Sequence, residues 1–223
     1  MGHVTEMFTQ GSVLANLNES EHTMLQKFAV QREYRKGEFV AHYGDIWPYF
    51  ALVNSGMINV VKLSADGRRL GGLKLLSGDE FWSPSLFDGE PLPAALEVGQ
   101  AGIVTIWHRD HVLPIVQKNT VILWELSLLL IKRMRQASEF VEDLAFQPVS
   151  GRLARLLLDQ FNEGDDPHIT RQFTLDEMST MIGTTPVMVC KILSRFAADG
   201  LIKVSRTEFE LLNRSDLKQL TDR

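Results

Sequence analysis

The stretch Thr174-Leu175-Asp176-Glu177-Met178-Ser179-Thr180-Met181-Ile182-Gly183-Thr184-Thr185-Pro186-Val187-Met188-Val189-Cys190-Lys191-Ile192-Leu193-Ser194-Arg195-Phe196 decides the fold. Thr174 with Glu177 three residues on has the form of a capping box: the hydroxyl takes a first-turn N–H and the carboxylate reaches back to the Thr174 N–H. A helix is expected to start there. Leu175, Met178 and Ile182 line one face of it, and Gly183 falls where the chain must turn with a positive φ. Thr184 or Thr185 can cap the next helix, whose first turn suits Pro186. Val189, Ile192, Leu193 and Phe196 form that helix's buried face, while Lys191 and Arg195 lie four apart on another. Phe173 to Phe196 therefore reads as a helix-turn-helix whose second helix can enter a major groove.

Downstream, past Asp199-Gly200, Leu201 to Val204 and Phe209 to Leu212 predict a β-hairpin around Ser205-Arg206-Thr207, the wing of a winged helix, with Arg206 placed to meet phosphate. The same pattern fits a helical subdomain that touches no nucleic acid, and both readings stand at this point.

Upstream, Gln147-Pro148 is a natural break, because proline lacks an N–H and disfavours a helical residue before it. Ser150 to Phe161 beyond it reads as an amphipathic helix, followed by a turn-rich loop from Asn162 to Pro167. Before the break, from Asn119, about 27 residues run without glycine or proline. Leu123, Leu126, Leu130, Met134, Ala137, Val141 and Leu144 form a narrow seam like half of a two-stranded coiled coil. Ile122, Trp124, Leu128, Leu129 and Ile131 indicate that its first half touches a second surface. Earlier still, after a helix over residues 19–30, short β-rich runs begin near Arg32: Phe39 to His42, Tyr49 to Val53, Met57 to Val61 and Leu70 to Leu76. Turns at Gly37, Gly44-Asp45, Ser55-Gly56, Asp66-Gly67 and Ser77-Gly78-Asp79 punctuate them about every ten residues, the rhythm of a small antiparallel barrel or sandwich, and such a barrel can hold one small ligand.

The totals limit the functions available. The chain has 223 residues, 44% of them hydrophobic, near the size at which one core becomes two. Its net charge of −5 projects no global positive field. The single cysteine, Cys190, forms no internal disulfide, zinc knuckle or iron–sulfur cluster. Met1 to Asn18 shows no leader pattern and no run reaches the length of a membrane span, so the expectation is a soluble, cytoplasmic protein. No nucleophile–base pairing, metal-ligand motif or phosphate loop is apparent, so no enzyme is expected.

The order of parts, with the hinge Phe146-Gln147-Pro148-Val149-Ser150-Gly151-Arg152-Leu153-Ala154, the run Gly183-Thr184-Thr185 and the segment Val189-Cys190-Lys191-Ile192-Leu193, resembles the cyclic-AMP receptor protein and FNR (CRP/FNR) family of transcription regulators from about Leu25 to Leu212. The resemblance implies an α+β fold. Residues 1–118 would form a double-stranded β-helix, a cupin-like jelly roll of cyclic-nucleotide-binding type serving as sensor; 119–146 would be the dimerisation helix; and 147–223 would be the winged helix-turn-helix. It also implies a homodimer, an effector site between barrel and long helix, a palindromic DNA target, and RNA polymerase as a further candidate partner.

Departures from the family pattern shape the expected chemistry. Cyclic-nucleotide-binding members carry a Gly-Glu pair for the ribose after the Gly-Asp turn and an Arg-Ser/Thr pair for the cyclic phosphate about ten residues on. Here Gly78-Asp79-Glu80-Phe81 leads into Trp82-Ser83-Pro84-Ser85-Leu86-Phe87, and the later pair falls on Pro93-Ala94. A buried cyclic phosphate needs a cation or several aligned N–H donors, and no lysine or arginine lies between Lys74 and Arg109. Cyclic AMP is not expected. The residues left to line an effector site are Phe81, Trp82, Ser83, Leu86, Ala94 and Ala95 with Leu130, Met134 and Ser138 from the long helix, suited to an uncharged ligand or to none, with Trp82 and Phe87 filling the space themselves. Some family members sense gases through haem, for which His42, His108 and His111 are candidate ligands; the plainer reading is of surface or core histidines.

In the second helix, Pro186, Val187 and Met188 stand where family members commonly place an Arg and a Glu that hydrogen-bond guanine and cytosine. Thr184, Thr185, Val187, Met188, Lys191, Arg195 and Arg206 are the candidate DNA contacts. From Gln147 to the end ten Lys and Arg face eleven Asp and Glu, a net −1 that is low for a DNA-binding module, so binding that is weak, A·T-biased or dependent on a partner is expected. Cys190, inside the reading helix, is a small helix residue or a redox switch. Two functions follow: an effector-responsive dimeric regulator, or a family member that has lost sequence reading and serves as a ligand-binding or protein-interaction module.

Overall fold

The computed structural model describes residues 12–64, 69–161, 167–171 and 173–221. The turn at Asp66-Gly67, most of the loop from Asn162 to Pro167 and the residues before Ser12 lie outside them. The chain divides into two compact units, one of Met1–Leu63 with Leu73–Gln136, the other of Ser64–Gly72 with Ala137–Arg223. Among the described residues, no single helix is long and apolar enough to cross a membrane.

The first unit opens with a 3-10 turn at Val13–Asn16 and helix α1 (Glu19–Phe28), started by an Asn18–Glu21 capping box. Strands follow: β1 (Val30–Tyr34), β2 (Phe39–Ala41), β3 (Tyr49–Val53), β4 (Met57–Leu63), β5 (Arg69–Leu76), β6 (Glu80–Trp82), β7 (Ala95–Gln100) and β8 (Gly102–His108), with α2 (Pro84–Phe87) after β6. They form two four-stranded antiparallel sheets, β1-β8-β3-β6 and β2-β7-β4-β5, the two layers of a jelly roll. β3 is apolar throughout because both its faces are covered. Ala51 and Val53 join Ile58, Leu75, Leu96, Val104 and Ile106 between the sheets. Phe50 and Leu52 point the other way, into a core shared with the helices, where Phe50 packs on Trp82 and Trp107 at centroid distances of 4.4 and 5.1 Å. The Trp107 Nε1–H donates to the Leu25 carbonyl at 2.7 Å and so ties β8 to α1.

Helix α3 (Arg109–Lys118) ends at Asn119, where the chain bends by 107° into α4 (Thr120–Phe146). The Asn119 side chain starts α4 by accepting from the Val121 and Ile122 N–H groups at 3.1 and 3.2 Å. Ile122 and Leu126 are buried in the first unit's helical core, with Leu129 packed against it. Leu126, read in sequence as part of a dimer seam, therefore belongs to the chain's own core. Leu123, Leu130, Met134 and Val141 remain exposed.

The second unit continues with α5 (Val149–Gln160), β9 (His168–Thr170), α6 (Leu175–Ile182), α7 (Pro186–Ala198), β10 (Ile202–Val204), β11 (Glu208–Leu211) and α8 (Arg214–Gln219). Leu153, Leu157, Met178, Ile182, Val189, Phe196 and Phe209 are among its buried core. The expected hairpin is present as β10 and β11, paired Ile202 to Leu211, and β9 adds a third strand that the sequence reading did not include.

Candidate nucleic-acid interface

The geometry of α6 and α7 follows the local rules in their sequence. The Thr174 hydroxyl accepts from the Glu177 N–H at 3.2 Å, and the Glu177 carboxylate accepts from the Thr174 N–H at 2.8 Å. Gly183 closes α6 in the left-handed region with φ 66° and ψ 50°. Thr185, rather than Thr184, caps α7, accepting from the Met188 N–H at 3.3 Å, and Pro186 occupies its first turn. The wing turn is fastened by Ser205, whose N–H donates to the Glu208 carbonyl at 3.0 Å while its Oγ accepts from the Glu208 N–H at 3.0 Å.

This scaffold leaves one face of α7 uncovered. Val187 is 79% exposed and Met188 40%, and Thr185, Cys190, Lys191 and Arg195 are exposed beside them, with Thr184 half-buried. Arg206 is exposed at the wing tip. The positive charge is partly balanced locally: Arg195 Nε lies 3.5 Å from Asp199 Oδ2, and Lys203 Nζ lies 3.1 Å from Glu210 Oε2. Exposed pairs of this kind contribute little to stability, but they lower the field available to phosphates.

Arg152 anchors the reading scaffold in a way the sequence reading missed. Its Nε donates to the Ile182 carbonyl at 2.8 Å, and its Nη1 donates to the Gln147 and Asp143 carbonyls at 2.7 and 3.3 Å. One guanidinium thus satisfies carbonyls at the C-terminal ends of both α4 and α6, where unpaired acceptors and the helix dipole favour a cation. Burial pushes the Arg152 pKa down from its ordinary value, and Asp143 opposes that. Arg155 Nη1 meets both Asp143 carboxylate oxygens at 2.6 and 2.7 Å, completing the clip between α4 and α5. The signal available in sequence was Gly151-Arg152 within the hinge stretch, but its partners lie at the ends of two other helices, α4 and α6.

In the first unit, the structure separates residues that the sequence reading grouped as one effector lining. β6 alternates, so Phe81 packs at the edge of the core between the sheets, 6.1 Å from Trp47, whereas Trp82 and Leu86 point into the helical core. Ser83 is buried and its Oγ donates to the Trp47 carbonyl at 2.7 Å. Ala94 and Ala95 are buried at the start of β7, whereas Leu130, Met134 and Ser138 are exposed on α4. A second missed feature is the Glu80 carboxylate, which accepts from Ser12 Oγ, from the Val13 N–H at 3.2 Å and from Trp82 Nε1 at 3.0 Å. Burial raises the Glu80 pKa, and those hydrogen bonds partly offset the rise. The three histidines considered for haem each meet a different aromatic ring: His42 stacks on Phe39, His108 meets Tyr49 edge-on and His111 stacks on Phe28.

A jelly roll and a winged helix-turn-helix in one chain, with an uncovered second helix, have the architecture of a DNA-binding regulator. Comparison with known proteins agrees. A cyclic nucleotide-binding domain model matches residues 31–119, and a Crp-like helix-turn-helix domain model matches residues 151–220. The cyclic AMP receptor protein of Thermus thermophilus is 24% identical over 191 residues, covering 85% of this chain and 87% of that protein. The cAMP-activated global transcriptional regulator Vfr of Pseudomonas aeruginosa is 27% identical over 186 residues, covering 78% and 85%. The crystal structure of a CRP/FNR-family transcriptional regulator from Eubacterium rectale, 18% identical, covers 98% of this chain and all of that one with a TM-score of 0.77, a likeness of fold. The chain belongs to the CRP/FNR family of DNA-binding transcription regulators. These relatives are regulators rather than enzymes.

Proposed function

We propose that the protein works as a homodimer that reads a palindromic duplex through its two α7 helices, under the control of an effector other than a cyclic nucleotide. The observation that carries the reading is the uncovered apolar row on α4. Leu123, Leu130, Met134 and Val141 are 39 to 66% exposed, with Trp124 at 64% and Leu128 and Ile131 at 44% each, all on the same helix. An apolar surface of that extent on one element marks an interaction site, and heptad-like spacing suits a second copy of the same helix. Two reading helices then meet half-sites about one turn of DNA apart, and Thr184, Thr185, Val187, Met188, Lys191, Arg195 and Arg206 supply the contacts.

The effector reading rests on what the cyclic-phosphate positions offer. Pro93 and Ala94 provide no charge, Ser83 is committed to Trp47, and Glu80 is committed to Ser12, Val13 and Trp82. A ligand at Trp82, Ser83, Leu86, Ala94 and Ala95 would have to displace packed core, leaving Phe81 on the barrel and Leu130, Met134 and Ser138 on α4 as the accessible members of the expected lining. Capture of sheared genomic DNA by the full-length protein, with and without cyclic AMP, tests both parts. Enrichment of one palindrome in either condition is expected. Its absence at every salt concentration overturns the DNA reading, and enrichment that depends on cyclic AMP overturns the choice of effector.

A further inference from the structure

We infer that Val187, backed by Met188, reads the C5-methyl group of a thymine in each half-site, so that an apolar contact takes the place of hydrogen-bonded base recognition. The inference rests on the proposed sequence-reading dimer and specifies what its reading helix selects. Pro186, Val187 and Met188 fill the first turn of α7, the part of a second helix that meets base edges. None has a side-chain hydrogen-bond donor, and the Thr185 hydroxyl beside them accepts the Met188 N–H as the α7 cap, which fixes its position at the helix start and leaves its O–H to donate.

Val187 is the most exposed large hydrophobic residue in the described chain, at 79%, and Met188 adjoins it at 40%. Single exposed apolar residues are ordinary. This pair, however, is continuous with the DNA-binding surface of a chain whose helix-turn-helix family is shown, so its cover in the complex is DNA. The edges that base pairs present in the major groove are otherwise hydrogen-bonding groups, and the thymine C5-methyl is the apolar exception. Lys191 lies one turn behind Val187 on the same face and is exposed, so a cation contact falls beside the methyl contact. The domain's net charge of −1 from Gln147 onward gives phosphates little hold, which leaves a larger share of the affinity to contacts with the bases. A 5-methylcytosine carries the same methyl at the same ring position, so the recognised chemistry is a C5-methyl pyrimidine, with thymine the natural source.

The test is in vitro selection by the full-length protein at low salt from two random duplex libraries, one with thymine and one with uracil in its place. The best thymine site is then rebuilt with single thymine-to-uracil changes. Removal of one methyl at the contacted position is expected to weaken binding about fourfold, the effect of one buried methyl, and about fifteenfold when made in both half-sites. At that position, 5-methylcytosine·guanine is expected to bind about fourfold better than cytosine·guanine. Val187→Ser, at an exposed position where an unchanged thermal midpoint checks folding, should bind the thymine and uracil forms equally. A selected site insensitive to uracil at every thymine overturns the methyl reading and leaves the sequence-reading function intact. No enrichment from either library overturns that function and the inference with it.

Discussion

At the scale of single residues, two polar side chains carry consequences that can be measured apart from any ligand. Glu80 is buried under Ser12 and Val13, and burial outweighs its hydrogen bonds, so its folded pKa lies above the ordinary value of 4.5. The folded state then holds the Glu80 proton more tightly than the unfolded chain does. Its contribution to stability is fully present below the unfolded pKa and is lost as pH rises through the folded one. Glu80→Gln removes the titration, so the thermal midpoint of the native protein minus that of the variant should increase as pH falls from neutral toward 4.5; a flat difference contradicts the assignment. Lys191 has a different expected signature. If it meets phosphate, its replacement by alanine should weaken binding to all sequences alike and flatten the log–log salt dependence by about 0.9 per phosphate no longer neutralised. A change of sequence preference instead would make Lys191 a base reader.

At the scale of elements, the turn between α6 and α7 and the entry to α5 depend on glycines for different reasons. Gly183 sits at φ 66°, so Gly183→Ala places a Cβ in the left-handed region and is expected to cost about 1–2 kcal/mol in chemical denaturation. Gly151 has ordinary helical backbone, but a Cβ there would lie 2.7 Å from the Leu220 carbonyl oxygen, so Gly151→Ala should cost about 1–3 kcal/mol by overpacking α5 against α8. The helix-turn-helix was legible because its rules act over three or four residues: cap, glycine, proline. The strands β1, β6, β7 and β8 were not. β1 (Val30–Tyr34) has four exposed residues and is a strand because β8 pairs with it from far along the chain. Because three-residue β6 went unrecognised, its alternation did too, and Phe81 and Trp82 were placed on one surface when they face opposite cores. Arg152 illustrates the same limit, since a guanidinium's acceptors on α4 and α6 leave no mark in its neighbours.

At the scale of the whole molecule, α4 runs in the chain between the jelly roll and the winged helix-turn-helix. The seam in the sequence was legible as a period, but Leu126 fits that period and still turns inward, because the same helix covers its own core with Ile122, Leu126 and Leu129 and leaves Leu130, Met134 and Val141 exposed. Met134→Glu, at a position 66% exposed in the single chain, should leave the fold intact and convert the proposed dimer to monomer in sedimentation. An unchanged dimer mass would place the interface elsewhere. The most direct test is the stoichiometry and symmetry of the complex with a selected duplex, read by the mass of the complex and by footprinting. The account predicts two chains on one duplex, protecting two inverted half-sites about one helical turn apart, with both protections abolished together in Met134→Glu. One chain per duplex, or a footprint without two-fold symmetry, would contradict it.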